Sequence, residues 1–170
     1  MNRVLVLKND RTLLVGYGRE IKCSCLVRNE LGTGDMARLP NQVVHTEPAP
    51  GYPYQPRPFP ATQNNVWTLG KPVRETYDAG AYIRVWWIPT NAHQEVRVWN
   101  VAEHESYSTY EGPSDPPIYA QDSGYGLHCS GSPTTLGCLR ISADADMEFL
   151  AASIIDDQTA GNVVQMEVIA

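Results

Sequence analysis

Charged side chains are scarce in this chain and do not cluster. Of the 170 residues only 19% are Asp, Glu, Lys or Arg, and no block of like charge stands out. This pattern excludes a disordered acidic tail and a basic arm. The net charge of −6 also opposes nucleic-acid binding, because a phosphate backbone requires a clustered Lys/Arg surface.

Long apolar runs are missing as well. No stretch approaches the roughly 20 residues that a membrane-spanning helix needs, so we expect no membrane span. The first residues, 1–8, contain a four-residue apolar run that ends at Lys8. A secretory signal needs a longer apolar stretch and a small-residue cleavage site. We therefore expect no signal peptide, and export would have to follow a route other than Sec.

Four cysteines are too few for a disulfide scaffold. The length suits one domain, over residues 1–170, that is large enough to bury a core without disulfide bonds. Cys23 and Cys25 are two apart, so on a strand they point to the same face. We interpret this pair as small apolar core residues.

Alternation of apolar and polar residues dominates the chain and predicts a mainly β fold. The segments Arg3–Lys8 and Thr12–Tyr17 flank a turn at 9–11 and predict an N-terminal hairpin. Further strands are predicted over residues 21–27, 81–88, 94–100 and 162–169.

Two stretches rich in proline interrupt the alternation. Residues 48–60 contain six prolines, and each proline removes a backbone donor, so this segment is predicted to be a loop that covers or contacts the domain. The stretch Ser106–Ser123 contains three more prolines and is also predicted to be a loop.

One amphipathic helix is predicted near the C-terminus. Its apolar stripe follows the i, i+3, i+4, i+7 spacing and comprises Met147, Leu150, Ala151 and Ile154. Ser142 or Asp144 is expected to cap its start, and Gly161 is expected to end it.

The segment 124–142 contains the side chains that covalent catalysis requires. Cys138 follows His128 by ten residues across a turn of small and polar residues, so the chain can fold back and bring thiol and imidazole together. A neighbouring imidazole favours the thiolate and acts as general base. Gly137 lets the backbone approach a substrate carbonyl, so the amides of Gly137 and Cys138 are candidates for an oxyanion hole. Arg140 shares a strand face with Cys138 and is a candidate ligand for a substrate carboxylate.

The run Thr135-Leu136-Gly137-Cys138-Leu139-Arg140 resembles the catalytic motif of L,D-transpeptidases. The motif has an upstream histidine, and it reads Ser/Thr-x-Gly-Cys-aliphatic-Arg before an acidic helix and a closing strand. The resemblance assigns Cys138 as nucleophile, His128 as base and Arg140 as the substrate-side arginine. It is strong over about residues 124–169, and residues 77–83 look like the family's Gly-x-Tyr strand entry. Leu136 stands where the family usually has histidine, and the His-to-Cys interval is short, as in compact phage-encoded relatives.

The resemblance implies a β-sandwich or barrel-like domain that performs cysteine-dependent acyl transfer or hydrolysis on peptidoglycan stem peptides, with no cofactor and no metal. We further expect other subunits of a large assembly as partners. The expected location is a virion, in a phage tail, or the periplasmic side. Side chains considered for lining the pocket are Tyr125, Trp86, Trp87 and Trp99, and groups considered for orienting the imidazole are Ser130, Ser132 or a backbone carbonyl.

Three alternatives remain open. His128, Cys129 and Cys138, joined by Cys23 or Cys25, offer nitrogen and sulfur ligands for zinc, although their spacing matches no zinc-finger or knuckle pattern. A disulfide between Cys129 and Cys138 would disable the proposed nucleophile. The third alternative is a catalytically inactive structural component of a phage tail or baseplate that retains the fold.

Overall fold

The structure is a computed structural model, and it describes residues 2–25, 59–61, 66–79, 82–103, 108–129 and 138–169. One helix is present in these ranges, α1 (Asp144–Thr159). The strands are β1 (Asn2–Lys8), β2 (Leu13–Gly16), β3 (Arg19–Ser24), β4 (Trp67–Thr68), β5 (Val73–Ala79), β6 (Tyr82–Pro89), β7 (Gln94–Arg97), β8 (Trp99–Glu103), β9 (Ser108–Pro113), β10 (Tyr119–Asp122), β11 (Gly126–His128), β12 (Leu139–Ile141) and β13 (Val163–Val168).

Nine strands form one curled sheet in the order β4-β13-β1-β2-β3-β12-β11-β6-β5. Its neighbouring strands are antiparallel except for two parallel pairs, β1 with β13 and β11 with β12. Two separate ribbons pair β7 with β10 and β8 with β9. The prediction of a mainly β fold with one helix near the C-terminus is therefore confirmed for the described residues.

The N-terminal hairpin is confirmed, with β1 and β2 antiparallel to each other. Its turn places Asn9, Asp10 and Arg11 in the left-handed region, with φ values of 53°, 53° and 65°. The next turn, between β2 and β3, places Tyr17 at φ 53° and Gly18 at φ 72°. Positive φ at both central residues is what a two-residue hairpin turn of type I′ requires.

The core lies between α1 and one face of the curled sheet. The helix contributes the four residues of its predicted apolar stripe, which are buried, and it contacts β13, β6 and β12. Alternate residues of the strands complete the core, and those without exposed surface include Leu5, Leu7, Leu14, Ile21, Ile88, Leu127, Leu139, Ile141 and Met166. Because successive strand residues point to opposite faces, the residues between these core positions lie on the other face of the sheet. Within the described ranges, no helix has both the length and the apolar character needed to cross a membrane.

The helix begins differently from the prediction. Ala143 is the N-cap residue and no side chain caps it, so the predicted cap by Ser142 or Asp144 is wrong. Asp144 already lies inside the first turn, and its carboxylate accepts a hydrogen bond from the thiol of Cys129, 3.2 Å away. The C-terminal end agrees with the prediction, because Gly161 follows the helix with φ at 86°.

The prediction of a loop over Ser106–Ser123 is wrong, because β9 and β10 lie within it. The prolines are compatible with these strands because Pro113 ends β9 and the other two lie between β9 and β10. The predicted strand over 94–100 is split at Val98 into β7 and β8.

The last residues of the proline-rich segment 48–60 are fixed to the core, while residues 48–58 lie outside the described part. The Phe59 side chain has no exposed surface, and its ring packs edge-on against Tyr125 with centroids 5.6 Å apart. The Phe59 N–H donates to the sulfur of Cys25 at 3.2 Å, and the Phe59 carbonyl accepts from the guanidinium of Arg11.

Because of the buried thiol of Cys23, we expect the free energy of unfolding to fall at alkaline pH. Burial raises the pKa of its thiol to about 12, and the nearby Cys25 adds to the shift. Between pH 9 and pH 12 the unfolded chain releases this proton while the folded chain keeps it, so the free energy of unfolding falls as pH rises. The expected contribution is about 1.4 kcal/mol per pH unit.

Urea unfolding at about pH 8 and about pH 10.5 measures this loss. Cys23→Ala should lose less stability than the wild type between these two pH values, whatever its stability at the lower one. An equal loss in both proteins would contradict the assignment.

Candidate active site

The parallel pairing of β11 and β12 brings the predicted histidine and cysteine segments side by side. Leu127 is level with Leu139, and His128 is level with Arg140. Both leucines are fully buried in the core. Because side chains alternate along a strand, His128 and Arg140 lie on the opposite face of the sheet.

Cys138 directly precedes β12 and, by the same alternation, shares the face of Arg140. It is diagonal to His128, offset by one strand spacing of about 4.8 Å and by two residues of about 3.3 Å along the strand. The thiol is partly exposed, and its sulfur lies 3.9 Å from the carbonyl oxygen of Gly124, a long contact for a thiol donor. The structure therefore places Cys138, His128 and Arg140 on one face of adjacent strands.

His128 is buried beneath this face, with an exposed fraction of 1%. Its ring is stacked on the indole of Trp87, with centroids 6.3 Å apart and planes inclined by 25°. Trp87 is its direct partner in the antiparallel pairing of β11 with β6. The imidazole is thus inside the protein while the thiol reaches the surface, so a reagent meets Cys138 first.

Gly126 makes room for this stacking. A Cβ atom built on Gly126 would lie 2.4 Å from Cη2 and 2.6 Å from Cζ2 of Trp87. The indole therefore passes directly over the backbone of β11. Sequence reasoning did not single out Gly126, although a glycine inside a strand pattern is the usual signal for such a close approach.

Tyr125 points into the core, with an exposed fraction of 2%. Its hydroxyl donates to the carboxylate of the buried Asp122 and accepts from the amide of Gln94 at 2.7 Å. Its carbonyl accepts from the hydroxyl of Thr90 at 2.6 Å. These contacts fix the chain just before His128. A substrate contact by Tyr125 remains a prediction, and Asp122 was not anticipated from the sequence.

Cys129 lies on the helix side of the sheet, where its thiol contacts Asp144. Burial and the Asp144 carboxylate raise the pKa of this thiol to about 11. From the register, Cys129 and Cys138 are separated by three steps of about 3.3 Å and face opposite sides of the sheet. A disulfide needs Cα atoms within about 7 Å, and none of the four cysteines is disulfide-bonded, so the alternative disulfide is not formed.

The predicted zinc ligands are divided between the two faces. Cys23 is buried in the core beside Ile141, whereas Cys138 lies on the face opposite the helix. Among the residues that the structure describes, no group of three or more His, Cys, Asp or Glu side chains could hold a metal ion.

Several residues named from the sequence lie outside the described part of the chain. These are Gly137 of the predicted oxyanion hole, Leu136, and the two candidates for orienting the imidazole, Ser130 and Ser132. The same holds for the side chain of Trp99. Trp86 is partly buried and packs against the core cluster.

Comparison with known proteins gave no match to a protein-family model, to a curated protein or to a solved structure.

Proposed function

We propose that the chain is a cysteine-dependent enzyme of the L,D-transpeptidase type that transfers or hydrolyses acyl groups of peptidoglycan stem peptides. The observation that supports the proposal is the parallel pairing of β11 with β12, in which His128 is level with Arg140 and Cys138 directly precedes β12. The resemblance of residues 135–140 to the family motif supports the same reaction. The curled sheet with one helix is compatible with the β-sandwich or barrel-like fold that the family implies.

In the proposed reaction the Cys138 sulfur attacks the carbonyl carbon of a meso-diaminopimelate residue. The thiol proton passes to the imidazole of His128. Collapse of the tetrahedral intermediate breaks the C–N bond, and the departing amine takes the proton from His128, which leaves a thioester on Cys138. An acceptor amine then forms a new amide, or water forms a carboxylic acid, and either step restores the thiol. Arg140 binds a substrate carboxylate through its guanidinium.

The setting that we propose is a phage tail or another virion-associated assembly that reaches the bacterial cell wall. Other subunits of that assembly are the proposed partners. This setting rests on the likeness of the short His-to-Cys interval and of Leu136 to compact phage-encoded relatives.

A second candidate function is that of a structural component of such an assembly that retains the fold without the reaction. One observation favours it: His128 is only 1% exposed and is stacked on Trp87, as a histidine of a protein core would be.

Incubation of the purified chain with stem peptides that contain meso-diaminopimelate followed by one further residue tests the proposal. An acceptor amino acid is added, and mass spectrometry follows both peptide and protein. We expect a peptide that has lost its last residue or exchanged it for the acceptor, and a thioester on the fragment containing Cys138. Folded protein that gives neither product nor adduct would overturn the enzymatic proposal and favour the structural one.

A further inference from the structure

We infer that Trp87 is a positioning residue whose indole, seated over Gly126, holds the His128 imidazole in the orientation needed to take the Cys138 proton. The inference rests on the proposed function, because it concerns the base of that reaction. It assigns a role to an aromatic residue that the sequence offered only as a general pocket-lining candidate.

The first step of the argument is the cross-strand register. Trp87 and His128 are direct partners, so their side chains leave the sheet on the same face with Cβ atoms about 4.5–5.5 Å apart. Their rings are stacked with only 25° between the planes. A flat, partly buried indole against one face of the imidazole restricts rotation of the imidazole about its Cβ–Cγ bond.

The second step is the position of Gly126. Gly126 precedes His128 by two residues on the same face, and extending the register of β11 with β12 by one residue brings it level with Cys138. Because the outer ring of the indole lies over Gly126, the indole extends from the level of His128 towards the level of Cys138. It therefore limits the directions in which the imidazole can turn away from the thiol.

The third step concerns the consequence for reactivity. A displacement of about 1 Å in a reacting group costs up to about 100-fold in rate. Loss of the indole should therefore lower kcat by roughly 10-fold to 100-fold and leave KM nearly unchanged, because the indole positions the base and does not bind the substrate.

The experiment uses alkylation of Cys138 by iodoacetamide, which reports the thiolate and needs no substrate. Peptide-resolved mass spectrometry separates Cys138 from the other three cysteines. The quantity compared is the ratio of the alkylation rate at about pH 7 to that at about pH 10, because this ratio cancels changes in access to the sulfur. The His128→Gln variant gives the value that this ratio takes when the base is removed.

We expect Trp87→Ala to lower this ratio by roughly tenfold, towards the value of His128→Gln. Trp87→Phe should keep most of the wild-type ratio, because a phenyl ring still stacks on the imidazole. Trp86→Ala is the matched control, since it removes the neighbouring indole from the other face of β6, and it should leave the ratio unchanged.

Gly126→Ala supplies a second variant in which both rings are retained. Its methyl group would lie 2.4 Å from Cη2 and 2.6 Å from Cζ2 of the indole, and also 2.7 Å from the backbone carbonyl oxygen of Ile88. It should therefore displace the indole together with the backbone of β6 and lower the ratio. Circular dichroism checks that this variant is folded before its ratio is compared.

The outcomes separate the inference from the proposed function. The inference is overturned if His128→Gln lowers the alkylation ratio and Trp87→Ala does not. It is also overturned if Trp86→Ala lowers the ratio as much as Trp87→Ala does. In both cases the proposed function still stands. A His128→Gln variant with the wild-type ratio would overturn both, because His128 would then not be the base.

Discussion

Cys138→Ala is expected to abolish turnover of stem peptides, with a loss of roughly three orders of magnitude or more, while the protein stays folded. The loss follows from the proposed reaction, in which the sulfur forms the bond to the substrate carbonyl, because alanine offers no nucleophile. The fold should tolerate the change because Cys138 is partly exposed and lies just outside β12. Product formation measured by mass spectrometry checks the loss, and urea unfolding checks the fold.

Cys129→Ala is the matched control for this substitution. It removes an identical thiol, but on the helix side of the sheet, where a pKa of about 11 keeps that thiol protonated at neutral pH. Turnover should therefore remain close to the wild-type rate. Stability should fall by about 1 kcal/mol because the hydrogen bond to Asp144 is lost. Turnover that survives Cys138→Ala, or that disappears with Cys129→Ala, would contradict the cysteine mechanism.

The same pair of variants also addresses the structural alternative. If the chain serves an assembly without catalysis, wild type and Cys138→Ala should both lack turnover and should be incorporated into the assembly equally well. Deletion of the chain should then prevent assembly. The two functions therefore predict different phenotypes for Cys138→Ala.

Local periodicity was sufficient to predict the elements that bury one face. The helix stripe of Met147, Leu150, Ala151 and Ile154 is buried as predicted, and Val164, Met166 and Val168 alternate into the core along β13. Such patterns are reliable because burial on one side of a helix or strand is imposed on neighbouring residues. The N-terminal hairpin was equally local, since only a short turn separates its strands.

Local periodicity does not predict which strands pair with each other in the sheet. β1 pairs in parallel with β13, so Asn2 is level with Val163, and no local pattern specifies a contact of that separation. The sequence pattern does not predict β9 and β10, because prolines at and between the ends of strands are also typical of a loop. The absence of a helix cap also depends on a contact that no local pattern specifies. The side chain of Asp144 accepts a hydrogen bond from Cys129, which is distant in sequence.

The candidate site was predictable only where it depends on local spacing along the chain. The spacing of His128 and Cys138 indicated that the chain could bring them together, and the alternation from Cys138 to Arg140 indicated a shared face. Burial of His128 depends on Trp87 from another strand, and that stacking depends on the absence of a side chain at Gly126. These features belong to tertiary packing, so the sequence indicates the candidate reacting groups but not the packing around the imidazole.

Phe59→Ala is expected to lower the free energy of unfolding by about 3–5 kcal/mol, the range typical of a buried aromatic residue replaced by alanine. The Phe59 ring has no exposed surface, and its removal leaves a cavity beside Tyr125. The ring also anchors the only described end of the proline-rich segment, and the next residue, Pro60, accepts a hydrogen bond from the indole of Trp67 at 2.9 Å. Urea unfolding followed by circular dichroism measures the change.

Tyr119→Ala is the control for Phe59→Ala, because it also truncates an aromatic residue, but one that is 57% exposed. Its effect should stay within about 0.5 kcal/mol. Equal effects of the two substitutions would show that Phe59 is not part of the core. Because Phe59 packs on the Tyr125 side of the sheet and the indole of Trp87 covers the other face, Phe59→Ala should leave the alkylation ratio of Cys138 close to the wild-type value. A large fall in both stability and this ratio would instead show that the anchored end of the proline-rich segment supports the site as well as the core.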